Sequence, residues 1–151
     1  MPMTLSGTTG IVQPAAAAPA FSARSTSNQT GITNNTWTKV LFPVEDFDTN
    51  NNFASSTFTP TIAGYYQISS SIDLGSVTIS TALGRIYKNG ASFTYGAGIN
   101  GGSSTEFYAN IAGLVYCNGT TDYIEIYTFL NSPSNVVYSG STFQAAMIRS
   151  A

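Results

Sequence analysis

The 151-residue chain contains no histidine and a single cysteine, and only 8% of its residues carry charge. Each shortage removes a class of function. Without histidine, a Ser or Cys nucleophile has no imidazole base to activate it. Cys117 cannot close an intrachain disulfide and reads as a small buried apolar residue. The missing disulfide framework argues against a small secreted domain. It fits a protein folded in a bacterial cytosol, including one made there by a phage. The five basic residues, Arg24, Lys39, Arg85, Lys88 and Arg149, are scattered, and the formal net charge is −2. Phosphate recognition needs clustered Lys and Arg, so no nucleic-acid partner is expected. No apolar run approaches the ~20 residues of a spanning helix. Met1 is not followed by the basic region and apolar stretch of a secretory signal, and no membrane partner is expected. No window combines helix caps with a 3.6-residue apolar period.

What is present is apolar, aromatic and hydroxylated. Hydrophobic residues make up 42% of the chain, with nine Tyr and nine Phe, too much for a disordered segment. Ser, Thr, Asn and Gly supply a neutral, hydrogen-bonding surface. From Phe21 onward, short apolar runs alternate with turn residues. Val40, Phe42 and Val44 share one strand face. Tyr66, Ile68, Ile72 and Leu74 share another, with Ser69, Ser71 and Asp73 opposite. Arg85–Lys88 leads into Asn89-Gly90, a tight-turn signal. Phe107–Tyr116, Tyr123–Leu130 and Phe143–Ile148 read as further strands, with a turn at Asn118-Gly119. Asn50-Asn51-Asn52, Gly101-Gly102-Ser103 and Asn131-Ser132-Pro133 read as loops. Short strands at this spacing predict an all-β sandwich or jelly roll over residues 21–151.

Residues 1–20 differ. They are uncharged and aperiodic, and Pro14 and Pro19 bracket an alanine run that favours extended backbone. They are expected to form an extended N-terminal attachment arm, with Met3, Leu5, Ile11 and Val12 apolar enough to dock on a partner.

Catalytic constellations are missing. Glu45, Asp46 and Asp48 form an acidic cluster whose spacing matches no calcium loop, so a solvated loop without metal or other cofactor is expected. Asp73, Glu106, Asp122 and Glu125 show no spacing that pairs two carboxylates for hydrolysis. Lys39 or Lys88 would need burial to act as a base, and Lys88-Asn89-Gly90 reads as an exposed hairpin. Gly96, Gly98, Gly101 and Gly102 follow no strand-to-helix phosphate motif. The chain is not expected to be an enzyme. Sequon matches at Asn28, Asn34 and Asn118 are expected to be idle.

Phe42, Asp48, Phe53, Phe58, Gly64 and Tyr66 stand in an order that resembles the globular head of complement component 1q, within the tumour necrosis factor-like superfamily. Ala20-Phe21-Ser22-Ala23 resembles that family's opening strand, and Tyr87-Lys88-Asn89-Gly90 its Lys-Asn-Gly hairpin. Residues 119–126 are similar to its Gly-Asp strand entry, with one insertion. Ser141-Thr142-Phe143 and Met147-Ile148 resemble its last strand. Ile68 and Ser70 stand where aromatics are usual, and Ala145 where glycine is. The resemblance covers about residues 20–151. It implies an antiparallel ten-strand jelly roll, a compact trimer, and a binding or structural role without catalysis. Phe21, Phe42, Phe58, Tyr66, Ile68 and Phe143 are then expected in the core or at the trimer interface.

Two functions are in play. One is a trimeric virion protein that decorates or cements a phage capsid, its arm on the major capsid protein. The other is the receptor- or glycan-binding tip of a phage fibre or bacterial surface protein, with a host-surface glycan as partner. A tip needs a shaft, and the chain shows neither Gly-X-Y repeats nor heptads, with only about twenty residues before the jelly roll. The expected location is the virion surface, with a bacterial cell or spore surface as the alternative.

Overall fold

The computed structural model describes residues 4–6, 10–12, 18–75, 77–104, 106–132 and 135–151. Its strands are β1 (Thr4–Ser6), β2 (Gly10–Val12), β3 (Ala20–Arg24), β4 (Thr38–Lys39), β5 (Val44–Asp48), β6 (Phe53–Ala54), β7 (Thr57–Phe58), β8 (Gly64–Asp73), β9 (Val77–Lys88), β10 (Ala91–Ser104), β11 (Tyr108–Cys117), β12 (Ile124–Asn131) and β13 (Thr142–Ser150). Among the described residues there is no helix.

β8 shows why these residues form strands. Tyr66, Ile68, Ser70 and Ile72 point inward and are buried, while Tyr65, Gln67, Ser69, Ser71 and Asp73 face out. Period-two patterning of this kind satisfies a sheet with one wet face. A five-stranded sheet runs β11-β8-β13-β3-β5, and a six-stranded sheet runs β10-β9-β12-β7-β6 with β4 also on β12. Sequential strands repeatedly change sheet, as β7 to β8, β8 to β9 and β10 to β11 do, giving an antiparallel jelly-roll sandwich. Its eleven strands exceed the ten expected, because β4, β6 and β7 are two-residue pieces.

The core lies between the sheets. Phe21, Phe42, Phe58, Tyr66, Ile68 and Phe143 are all buried within one chain. Phe21 is the hub, with ring centroids 4.6 Å from Phe53, 4.7 Å from Phe58 and 4.9 Å from Phe143. Polar groups facing the core are satisfied: the Tyr66 hydroxyl donates to Ile62 O at 2.7 Å, and Ser70 Oγ to Thr142 O at 2.7 Å. Burial pushes the Tyr66 hydroxyl up to about 12.

Turns follow their chemistry. Asn89 and Gly90 have φ of 54° and 75°, the paired left-handed residues of a two-residue hairpin joining β9 to β10. Gly119 has φ of 73°, and a Cβ there would come within 2.6 Å of the Ile62 carbonyl carbon. Gly119→Ala combines that clash with the left-handed cost of about 1–2 kcal/mol. It is expected to lower the urea midpoint measurably, whereas substitution at Gly140 meets nothing within 4 Å and carries the φ cost alone.

Four local expectations are corrected. Gly101-Gly102-Ser103 is not a loop: Gly102 pairs with Ile79 and Ser103 with Thr78 inside β10. Glu45, Asp46 and Asp48 lie on the edge strand β5, where Asp46 is 2.6 Å from Arg24 Nε and Asp48 accepts the Phe53 amide at 2.6 Å. Lys88 is largely covered by its ion pair with Asp122, although Asn89 and Gly90 are exposed. Asn131 belongs to β12, and Pro133 lies outside the described residues.

Of residues 1–20, the described strands β1 and β2 pair antiparallel, Leu5 opposite Ile11 and Thr4 opposite Val12 in register. Met3 lies outside the described residues. The jelly roll's bonding reaches back to Pro19, whose carbonyl accepts the Met147 amide at 2.9 Å.

Candidate self-association surface

Strand register places the outward residues of the five-stranded sheet in rows. One row crosses all its strands as Ala112, Ser69, Gln144, Ser22 and Phe47. The next is Leu114, Gln67, Ala146 and Ala20. These central rows contain no charged side chain. Beyond them Tyr116, Tyr65 and Arg149 form the next row, the two tyrosine rings 5.4 Å apart. On the far side the row of Asn110, Ser71, Thr142 and Arg24 ends in the Arg24–Asp46 pair. Tyr108 and Asp73 close that end, where the Asp73 charge, joined by Glu106, pushes the Tyr108 hydroxyl upward.

Large apolar side chains stand out of this face. Leu114 is 51% exposed, Ile148 61% and Phe47 51%, with Tyr65, Tyr108 and Tyr116 also exposed. A depression of about 480 Å³ lies beside Tyr65, Leu114 and Ile148, and another of about 280 Å³ between Phe47, Gln67 and Ala146. The small-residue centre carries no charge and lets a second sheet approach closely, with Arg149 at the aromatic rim beside Tyr65.

The sequence of β11 carries a signal for this face. β11 has apolar residues on both sides, Ala109, Ile111, Val115 and Cys117 inward and Leu114 and Tyr116 outward. Runs apolar on both faces mark strands covered on both faces. The residues Phe21, Phe42, Phe58, Tyr66, Ile68 and Phe143, expected in the core or at the trimer interface, are buried between the sheets and do not reach this outer face. Leu5, Ile11 and Val12 lie in the separate hairpin.

Lys39, Asp122 and Cys117 are engaged in structure. Lys39 Nζ donates to Glu125 Oε1 at 2.7 Å and Thr57 Oγ1 at 2.6 Å. Asp122 pairs with Lys88 at 2.9 Å. Cys117 is fully buried, and burial pushes its thiol up to about 11, so it is protonated at neutral pH.

No protein-family profile matches the sequence, and no curated protein matches it. Solved structures do match. The globular domain of zebrafish complement 1qA protein is 14% identical with a TM-score of 0.62, over 89% of this chain and 99% of that one. Murine APRIL at pH 5.0 is 12% identical with a TM-score of 0.66, over 87% and 99%. PRD1 vertex protein P5 is 19% identical with a TM-score of 0.58, over 87% and 96%. At these identities the likeness is one of architecture: the chain has the tumour necrosis factor-like jelly-roll fold, the fold of the complement 1q globular head and of a phage vertex protein.

Proposed function

We propose that the chain is a homotrimeric structural protein of a phage virion. It packs on itself through the outer face of the five-stranded sheet. It decorates or cements the capsid through residues 1–20, with the major capsid protein as partner and the virion surface as its location. The carrying observation is the face just described, with uncharged central rows and exposed apolar side chains around them. Monomers seldom leave contiguous apolar patches beyond a few hundred Å² in water. The family resemblance, which implies a compact trimer, agrees with it, and the shared fold of PRD1 vertex protein P5 favours a virion setting.

Light scattering should give about three times the 15.9 kDa chain mass at micromolar concentration. Ala146→Arg, on an exposed position between Gln67 and Ala20, should give a folded monomer by placing an unpaired charge in the contact. A wild-type mass near 15.9 kDa rejects the reading. Removing residues 1–17, which spares the Pro19 bond, should preserve the trimer and abolish docking on particles; docking at wild-type affinity would place attachment on the jelly roll.

A further inference from the structure

The other outer face of the sandwich has a different chemistry. Register sets Tyr95, Arg85, Tyr127 and Lys39 in one row across β10, β9, β12 and β4. Trp37 lies over this row, its ring 5.5 Å from Phe129 and 6.2 Å from Tyr87, and Tyr87 stacks on Tyr127 at 4.0 Å. The Arg85 guanidinium is held between two rings, 4.1 Å from the Trp37 centroid and 3.8 Å from that of Tyr95.

Arg85 differs from the other cations of this face, and Arg149, also without an ion pair among the described residues, lies on the other sheet. Arg24, Lys39 and Lys88 each have a carboxylate within 2.9 Å. Arg85 has none among the described residues. Its hydrogen bond is a long one, Nη1 to Ser92 Oγ at 3.4 Å, and its buried Nε has no partner. Lys39 is spent on Glu125 and Thr57, so Arg85 is the uncompensated charge of this face. Stacking leaves the edge of a guanidinium free, and a planar fork fixed by two rings suits a carboxylate taken bidentately.

We propose that this face binds an acidic sugar, a carboxylate-bearing residue of a glycan. Arg85 takes the carboxylate, and the rings around it take the apolar side of the pyranose. Aromatic walls with a few fixed polar groups are the usual make-up of such sites. The charge count selects the ligand. An acidic peptide calls for several free cations, whereas one free cation among rings and hydroxyls matches one carboxylate on a neutral, hydroxylated ring. Tyr95 is 71% exposed, so the site opens to solvent at that ring. The site lies on the sheet opposite the self-association face, so it stands or falls separately from the trimer.

Trp37 is the only tryptophan and touches Arg85, so its fluorescence reports the site directly. The full chain is titrated with 3′-sialyllactose, lactose and a glutamate-rich peptide, with saturation-transfer NMR on the ligands as a second readout. The expected result is saturable binding of 3′-sialyllactose with Kd on the order of 1 mM, and lactose at least ten-fold weaker. Arg85→Gln should lose at least ten-fold, and Arg85→Lys, which keeps charge but not the fork, several-fold. If Arg85→Gln does not fold by circular dichroism, Tyr95→Ala, on an exposed position, carries the test and should alter the affinity. Equal binding of lactose, tighter binding of the peptide, no binding by the wild type, or unchanged affinity in the folded variants overturns the proposal.

Discussion

Phe143→Ala is expected to lower the stability of the fold by about 3–5 kcal/mol, the cost of truncating a fully buried aromatic. Its ring is 0% exposed and meets Phe21 edge-on at 4.9 Å, Phe42 at 5.5 Å and Phe53 at 5.9 Å. Its register neighbours are Ser70 on β8 and Ala23 on β3, both small. They leave room for the ring and cannot expand to fill the space it vacates, so the cavity stays open. Aromatic pairs add about 0.5–1.5 kcal/mol beyond area. At ~2–4 °C per kcal/mol for a chain of this size, the thermal midpoint should fall by roughly 6–20 °C at fixed protein concentration. Phe93→Ala, at 48% exposure on the edge strand β10, is the control and should stay near wild type. Equal midpoints for Phe143→Ala and wild type would mean that the core is built on a different register.

How far the sequence reveals this architecture depends on what each residue pattern can encode. β8 and β13 are legible because one face is buried and the other wet, so alternation is visible. Asn89-Gly90 is legible because a two-residue hairpin needs two positive φ angles, and Asn and Gly tolerate them. β10 is not legible. Gly101-Gly102-Ser103 looks like a loop, yet β10 runs through it, as it does through Gly96 and Gly98. Glycine serves close approach there, since a Cβ at Gly96 would sit 3.0 Å from Asn110 O on β11. Nothing in a single chain separates a glycine that turns from one that makes room. The surfaces were harder still. Tyr65 and Tyr66 are adjacent and identical, and only register shows that the second fills the core and the first the outer face. Arg85, Trp37 and Tyr95 come together through pairing between β9 and β10 and the path of the chain before β4, contacts that no local spacing announces.

Asp122→Ala should also be strongly destabilising, by about 3 kcal/mol, because it removes the centre of a nearly buried polar knot. Asp122 Oδ1 accepts the Asn89 amide at 2.7 Å, and Oδ2 accepts the Asn118 backbone N–H at 2.9 Å and Lys88 Nζ at 2.9 Å. Asn89 in turn accepts the Tyr123 amide at 2.9 Å. One carboxylate therefore ties the β9–β10 turn to the end of β11 and the start of β12. The loss sits at the low end for a buried pair, since Lys88 keeps the Tyr116 carbonyl at 2.8 Å. The same bonds make the contribution depend on pH. The Asn89 hydrogen bond, helped by Lys88 and Asn118 against the opposing effect of burial, holds the Asp122 carboxyl below the usual carboxylate range. The unfolded chain, with an ordinary pKa of about 3.9, then takes up the proton first as pH falls. The stabilisation is complete above that value, and it is lost as pH drops through it toward the lower pKa of the folded state. Urea midpoints measured from pH 7 down to pH 3 should fall more steeply for wild type than for Asp122→Asn, which cannot titrate there. Asp122→Asn should already be weaker at pH 7, because an amide cannot accept at both positions and its N–H₂ faces other donors. Parallel curves for the two proteins would mean that another carboxylate governs the acid limb.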